Sequence, residues 1–370
     1  MIFIVFLFIT GVQLIFWLLV APQGFARVFR EEEPESIGPA REVPGVSVIV
    51  CFRNEAATLY DCLTGVLAQE YPGEFEVIAV DDGSTDGSAD AVTALQRAGH
   101  ARLRLLRPGP TRPGKKDALT HGIGAARHDR LLLTDADCQP ASVHWLRLMT
   151  APLNDNEVVL GVSPYRPGGD WLTRFQHFEA NYVALKYLGF AALGLPYMGV
   201  GRNLAYRKSF FERAGGFAGH TDVPGGDDDI IIGHHAPPDA TVRVNDPDAF
   251  TFSAPTTDRA AFLRQRARHQ RAGFRYRELH KMLLTLLALS HGLFYLLGLV
   301  LLFTPYAYSA LAVYGVRLAA VAAAHRRAPQ PKPAGSAVSR LARWAVYDAG
   351  VALMYLYVTV TGGAGRRGGW

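Results

Sequence analysis

The chain has 370 residues, of which 49% are hydrophobic and only 19% charged, with a formal net charge of +5. That balance is too apolar for a disordered chain, and a mean hydropathy of +0.08 is high for a soluble enzyme, so membrane segments are expected alongside one domain of ordinary size. Three cysteines, Cys51, Cys62 and Cys138, show neither close pairing nor metal-ligand spacing, which excludes a disulfide scaffold and a cysteine-based zinc site and points to a reducing compartment. Basic residues are scattered without an aromatic-interleaved motif, so the pI of 9.1 fits anionic phosphate ligands or lipid headgroups, and no nucleic-acid partner is expected.

The first element, Met1 to Ala21 (MIFIVFLFITGVQLIFWLLVA), carries no charge. About twenty helical residues at ~1.5 Å rise match a hydrocarbon core of ~30 Å. No Lys or Arg precedes Arg27, so the segment reads as an uncleaved anchor rather than a signal peptide. Arg27 and Arg30 follow at once, and the positive-inside bias then places the next residues in the cytoplasm and the N-terminus outside.

From Pro44 to about Arg275, short β-branched runs alternate with helical stretches, the pattern of a mostly parallel α/β sheet flanked by helices. The predicted strands are VSVIVC, EVIAVDD, RLRLL and RLLLTDAD, and the intervening helices are expected from Glu55, Asp86, Lys115 and Ser142. Ligands of such sheets bind at the carboxyl ends of strands. There the first strand presents Arg53, Asn54 and Glu55, the second Asp81 and Asp82, and the fourth Asp135 and Asp137. Asp86 reads as a helix cap. Asp-x-Asp after an apolar strand puts two carboxylates on one side of the strand end, a grip for a hard divalent cation, with Mg²⁺ or Mn²⁺ preferred over zinc. Such a metal completes its shell with water and substrate phosphates, which implies a diphosphate ligand. Arg112, Lys115 and Lys116 in PTRPGKKDAL stand on a Pro/Gly turn before a helix, either meeting phosphate oxygens or forming a solvated basic loop. Neither a dinucleotide-binding glycine fingerprint nor a P-loop is present.

Further along, Trp171 to Tyr197 alternates aromatic and aliphatic residues, as a membrane-surface or acceptor-facing wall would, or as plain core does. His234 and His235 lack a third ligand partner and read as loop residues. Apolar runs occupy Met282 to Phe303, Tyr306 to Ala324 and Trp344 to Thr361, with the basic, Pro-rich stretch HRRAPQPKPAGSAVSRLAR as a cytoplasmic loop. Arg317 inside the third run is costly at membrane depth, so that span is expected to tilt, shorten or lie in the interface. Arg366 and Arg367 fall on the outer side, against the charge rule.

In order along the chain, VSVIVCFRNEA, VDDGSTDGS, GKKDAL, TDADC, GVGRNLAYRKSFFERAGGF, GGDDDIII and RQRARHQRAG resemble the family 2 inverting glycosyltransferases of the GT-A fold, over roughly Pro44 to Gly273. The flanking apolar runs fit the membrane-bound branch. The resemblance implies a nucleotide-sugar donor held by Arg53, Glu55, Asp81, Asp82, Lys115 and Asp135, with Asp135 and Asp137 on a divalent metal. It implies that Asp228, with Asp227 next in line, takes the proton of the attacking hydroxyl; three adjacent carboxylates through Asp229 raise proton affinity, although an acidic helix N-terminus is the other reading. Gln265, Arg266, Arg268 and His269 resemble the family's Q-x-x-R-W signature and are expected to bind diphosphate or acceptor, or to form a basic helix on anionic lipid. His269 stands where tryptophan is usual, so processive polymerisation is not carried over.

The expected organisation is an anchor at 1–21, a cytoplasmic GT-A domain at 44–275, two spans within 282–324, a basic loop at 325–343 and a last span at 344–361. The expected function is metal-dependent, inverting, hexosyltransferase-type transfer onto a lipid-linked or polysaccharide acceptor at a bacterial cytoplasmic membrane. A catalytically inactive nucleotide-binding scaffold and a small transporter are the competing readings.

Overall fold

The computed structural model describes residues 1–26, 43–109, 114–220, 225–329 and 336–362. Arg27, Arg30, Arg112, the centre of the Pro-rich loop, Arg366 and Arg367 lie outside the described residues. The chain opens with α1 (Ile2–Ile15), continued by a π-helical turn (Phe16–Val20) and α2 (Ala21–Gly24). It proceeds through β1 (Val46–Phe52), α3 (Leu59–Leu67), β2 (Phe75–Asp81), α4 (Ser88–Arg97), β3 (Leu103–Leu106), α5 (Lys115–Ala125) and β4 (Arg130–Asp135). Then come β5 (Cys138–Pro140), α6 (Trp145–Thr150), β6 (Val158–Leu160), α7 (Trp171–Ala192), β7 (Leu204–Arg207), α8 (Lys208–Arg213) and α9 (Asp227–His235). Two short strands, β8 (Thr241–Arg243) and β9 (Thr251–Ser253), precede the helices α10 (Arg259–Gly273), α11 (Glu278–Leu301), α12 (Ala307–His325) and α13 (Ala337–Gly362).

These elements fall into two compact units. One holds the sheet and comprises the described residues of 43–166 and 196–254; the other holds Met1–Ala26, Pro167–Leu195 and the described residues from Pro255 onward. Residues of 44–275 contribute to both units, α7 and α10 being grouped with the long apolar helices.

In the sheet unit the strand order is β3-β2-β1-β4-β7-β6-β8. β1 to β4 run parallel, and β7 runs antiparallel to β4 and β6. Every residue of β1 and β2 is buried, because helices cover both faces of these central strands. On one face Val46, Val48, Val50 and Phe52 meet Leu59, Leu63 and Val66 of α3 and Trp145 of α6. On the other face α5 approaches closely at Gly122, where an added Cβ would stand 2.9 Å from Ile49 and 3.0 Å from Val80. The register sets Cys51 opposite Asp135 and Phe52 opposite Asp81, so the three central strands end level with one another. The helices α3, α4 and α6 begin two to four residues after the positions expected from the sequence. For the first two the reason is local: Asn54, Glu55, Ser84 and Asp86 take part in loop hydrogen bonds instead of helical turns.

In the helical unit four helices are long and apolar enough to cross a membrane: Ile2–Gly24, Glu278–Leu301, Ala307–His325 and Ala337–Thr361. Phe6 of α1 stacks on Phe294 of α11 with ring centroids 5.3 Å apart, beside Ile9, Leu301 and Ala310. α12 runs over 19 residues, so the span is not shortened around Arg317. Arg317 is buried, ion-paired with the equally buried Asp348 of α13, and bonded to Gln13 Oε1 at 2.8 Å. Asp348 also accepts from Tyr295 Oη at 2.5 Å and lies 3.2 Å from His291 Nε2. An arginine with a carboxylate partner is tolerated where a lone one is not, so α12 keeps its full length. α7 opens on a built cap, Asp170 accepting from Thr173 N at 2.9 Å, and most of its side chains are buried.

Removing one member of the Arg317–Asp348 pair strands a buried charge, a loss of about 3–5 kcal/mol, whereas replacing both with apolar residues does not. Asp348→Asn and Arg317→Met should each lower the melting temperature of the detergent-purified protein by several degrees. The double variant Arg317→Met/Asp348→Leu should recover most of it, and single variants as stable as the wild type would refute the pairing.

Candidate functional site

The site is assembled at the carboxyl edge of β2, β1 and β4, where the order of connection reverses and a crevice opens. The turn after β1 is tied to the turn after β2. Asn54 holds a left-handed backbone (φ 58°), which asparagine tolerates, and its Oδ1 accepts from Thr85 N at 2.8 Å. Glu55 N donates to Ser88 Oγ at 2.8 Å, and Ala56 N to Asp86 Oδ2 at 3.0 Å. The N-cap position of α4 is Gly87 rather than Asp86, which instead accepts from Ser88 N at 3.0 Å and fastens the first turn. Asp81 accepts from Ser84 N at 2.8 Å; Asp82, wholly buried, has Arg53 at 3.7 Å.

Asp135 closes β4 and Asp137 lies in the turn that follows, so the two carboxylates are gathered by a turn rather than by strand alternation. Lys115, the first residue of α5, places Nζ 2.6 Å from Asp135 Oδ1. Burial raises the Asp137 carboxyl above its usual range, and the Asp135 charge raises it further against Arg202 and Lys115. Burial likewise raises Glu55, the Thr58 hydroxyl bond opposing and the fields of Asp137, Asp135 and Asp86 adding. These groups therefore share one electrostatic environment. Burial also pushes the thiols of Cys62 and Cys138 upward, which leaves them poor nucleophiles.

Asp228 reaches the same crevice from α9. Its Oδ2 accepts the Gly201 backbone N–H, and its Oδ1 accepts from Asp229 N at 3.0 Å. A Cβ on Gly201 would meet Asp228 Oδ2 at 3.2 Å and Lys115 Nζ at 3.5 Å, so glycine lets these two side chains flank one backbone position. Cys51, Lys115, Thr134, Asp135, Gly201 and Asp228 line a single cleft. The segment Gly199 to Asn203 divides its roles. Asn203 is a buried structural bond-maker to Trp145 Nε1 (2.9 Å) and to the carbonyls of Val162 and Ala249 (2.9 and 2.8 Å). Arg202 lies over the Tyr165 ring at 5.0 Å, donates to Ser253 Oγ at 2.5 Å and acts on Asp137. Sequence reasoning named Arg202 without a role; the available signal was a lone charge between two glycines and an apolar strand.

The structure thus brings together Arg53, Glu55, Asp81, Asp82, Lys115, Asp135, Asp137 and Asp228. Lys116 is buried rather than solvated. Asp227 opens α9, and Asp229 is buried. His234 and His235 are exposed at the end of α9, and among the described residues no cluster of three or more His, Cys, Asp or Glu side chains is arranged to hold a metal. Gln265, Arg266, Arg268 and His269 lie on α10 in the helical unit, where Arg266 is buried and ion-paired with Glu179 at 2.5 Å.

Against known proteins, the sequence matches Glycosyl transferase family 2 over residues 47–215 and Glycosyl transferase family group 2 over residues 133–324. It is similar to the poly-beta-1,6-N-acetyl-D-glucosamine synthase of Staphylococcus epidermidis, 33% identical over 97 residues, covering 26% of this chain and 23% of that protein. It is also similar to Glycosyltransferase AglE of Haloferax volcanii, 29% identical over 192 residues, covering 50% of this chain and 59% of that one. The chain thus spans less than two thirds of each of these relatives. Among solved structures it resembles the mannosyltransferase PcManGT from Pyrobaculum calidifontis, determined with GDP-Man and Mn²⁺, at a TM-score of 0.60 and 20% identity, covering 99% of this chain and 100% of that one. That likeness establishes the GT-A fold. With a family match running through half of its length, from the Asp-x-Asp turn into the third apolar helix, the chain belongs to glycosyl transferase family group 2.

Proposed function

We propose that this chain transfers a sugar from a nucleotide diphosphate sugar to a membrane-associated hydroxyl acceptor, with inversion at the anomeric carbon. The observation that carries the reading is the cleft in which Asp228 and the Lys115–Asp135 pair meet beside Gly201. Donor binding is assigned to Arg53, Glu55, Asp81 and Asp82 around the nucleoside. Lys115 and Arg202 supply fixed positive charge near the diphosphate. Asp228 removes the acceptor proton as the new bond forms, so no covalent intermediate is needed.

Asp135 and Asp137 suit a hard divalent ion. They are carboxylates in a partly buried turn, and the raised proton affinity of Asp137 reflects negative charge that a cation would offset. These residues would hold Mg²⁺ or Mn²⁺, which when bound neutralises charge on the departing diphosphate. PcManGT, solved with GDP-Man and Mn²⁺, is consistent with that assignment. The four apolar helices support a membrane location, with the sheet unit in the cytoplasm and the acceptor lipid-linked or a growing polysaccharide.

Three outcomes follow. Asp135→Asn and Asp137→Asn should abolish divalent-dependent donor turnover and weaken Mn²⁺ binding, measured calorimetrically on the purified chain, by at least about tenfold; unchanged Mn²⁺ affinity would remove the metal assignment. Asp228→Asn should lower single-turnover transfer by at least about 10², the low end for a positioned acid–base group, with donor affinity nearly unchanged. Loss of donor binding with turnover per bound donor intact would move Asp228 to the donor site. Reporter fusions after Arg30 and near Pro333 should both read cytoplasmic, and opposite readings would break the proposed topology.

A further inference from the structure

Arg202 follows the cleft residue Gly201, and the sheet unit fixes it at both ends. Its backbone carbonyl accepts from Thr134 Oγ1 of β4 at 3.0 Å and from Thr251 Oγ1 of β9 at 2.8 Å. Its guanidinium donates to Ser253 Oγ of β9 at 2.5 Å and lies over the Tyr165 ring at 5.0 Å. Thr134 stands one residue before Asp135, and Ser253 pairs with Cys138, one residue after Asp137. Arg202 is therefore tied by its backbone to the residue that precedes the Asp135–Asp137 turn, and by its side chain to the strand partner of the residue that follows it.

Ser253 and Tyr165 are themselves held. Both are buried, and they form a bridge with one another. Arg166 N donates to the Ser253 carbonyl at 2.8 Å, and Thr251 Oγ1 lies 3.0 Å from Ser163 Oγ, so residues 163–166 and β9 make one wall. A guanidinium seated on such a wall gives up its rotamer freedom on folding rather than on binding a ligand. Its charge is kept: burial opposes it, but the fields of Tyr165, Cys138, Asp137 and Asp135 outweigh burial and hold the proton more firmly than usual. Among the described residues no carboxylate forms an ion pair with it, and a single hydroxyl takes one of its N–H groups. Most donors of the planar fork therefore remain for oxygens brought from outside, and the half-buried side chain leaves them a route.

We infer that Ser253 and Tyr165 are positioning residues for donor binding, holding the Arg202 guanidinium beside the Asp135–Asp137 turn so that its unspent donors meet the diphosphate oxygens. The inference deepens the proposed function by naming what orients that charge, and it rests on that reading for the diphosphate alone. Binding is measured without any sugar, so a chain that binds a diphosphate through this seat yet transfers no sugar would refute the catalytic reading and leave the seat standing.

The test uses the full-length protein in neutral detergent, with Mn²⁺ alone and Mn²⁺ plus methylenediphosphonate as probes. Calorimetry should show Ser253→Ala weakening the diphosphonate by at least about fivefold, the effect of one hydrogen bond that orients a charged group. Mn²⁺ alone should bind within about twofold of the wild type, because Asp135 and Asp137 are untouched. Ser253→Thr, which keeps the hydroxyl, should retain most of the diphosphonate affinity. Tyr165→Leu should lose it by a similar factor, and Tyr165→Phe, which keeps the ring face, should not. Equal diphosphonate affinity of the wild type and either Ser253→Ala or Tyr165→Leu would overturn the role of that residue. A parallel loss of Mn²⁺ and diphosphonate affinity would overturn the proposal, since it marks a disrupted turn rather than a misplaced guanidinium. A second measurement needs no variant. Phenylglyoxal modification of Arg202, located by mass spectrometry, should be slowed more by Mn²⁺ with methylenediphosphonate than by Mn²⁺ alone; equal rates would likewise overturn the proposal.

Discussion

Carboxylates crowded at the carboxyl edge of β2, β1 and β4 repel one another, and the surrounding cations and backbone donors of the sheet unit are arranged to answer that repulsion. Level strand ends set Asp81 and Asp135 at one edge, where Asp135 and Asp137 act on Glu55, and Asp228 meets Asp135 at one cleft from α9. At an effective dielectric near 20, two like charges about 4 Å apart oppose each other by about 4 kcal/mol, comparable to a large share of a domain's stability. Arg53 answers Asp82, Lys115 answers Asp135, and Arg202 acts on Asp137. The balance stays incomplete at Asp137, whose carboxyl is held up by burial and by Asp135. A nearby positive charge would offset that negative charge.

The helical unit also buries charged groups. Arg317 and Asp348 cancel in a buried pair, with Gln13 and Tyr295 completing their hydrogen bonds. That network joins α1, α11, α12 and α13 through polar contacts. The Glu179 cluster is not cancelled in this way. Its cation Lys186 rests on two aromatic faces and feels the field of Glu179 without a paired carboxylate among the described residues.

Glycine decides two close approaches in the sheet unit. Gly122 lets α5 settle on Ile49 and Val80, which sets the height of Lys115 at the start of that helix. Gly201 leaves room for Asp228 and Lys115 to flank one peptide. Both are contacts between residues distant in the chain, so neither pattern alone distinguished these glycines from turn residues.

The four parallel strands, the acidic groups at their ends and the four apolar helices were legible in the amino-acid sequence. Strands buried on both faces must be apolar throughout, polar residues accumulate where such strands stop, and a bilayer demands long uncharged runs. Helix starts were less legible, because Asn54, Ser84 and Asp86 exchange hydrogen bonds between two turns about thirty residues apart, and that exchange displaces the first helical residue. Arg317 read as a liability because its partner, Asp348, lies 31 residues away in another apolar run. Only tertiary structure decided that Arg266 pairs with Glu179, that Arg202 acts on Asp137, and that Lys186 has aromatic faces in place of a counter-ion. The sequence by itself determined which residues are charged and which segments are apolar. Which charges cancel depends on distances of a few ångströms between separate elements, and those distances exist only once the chain has packed.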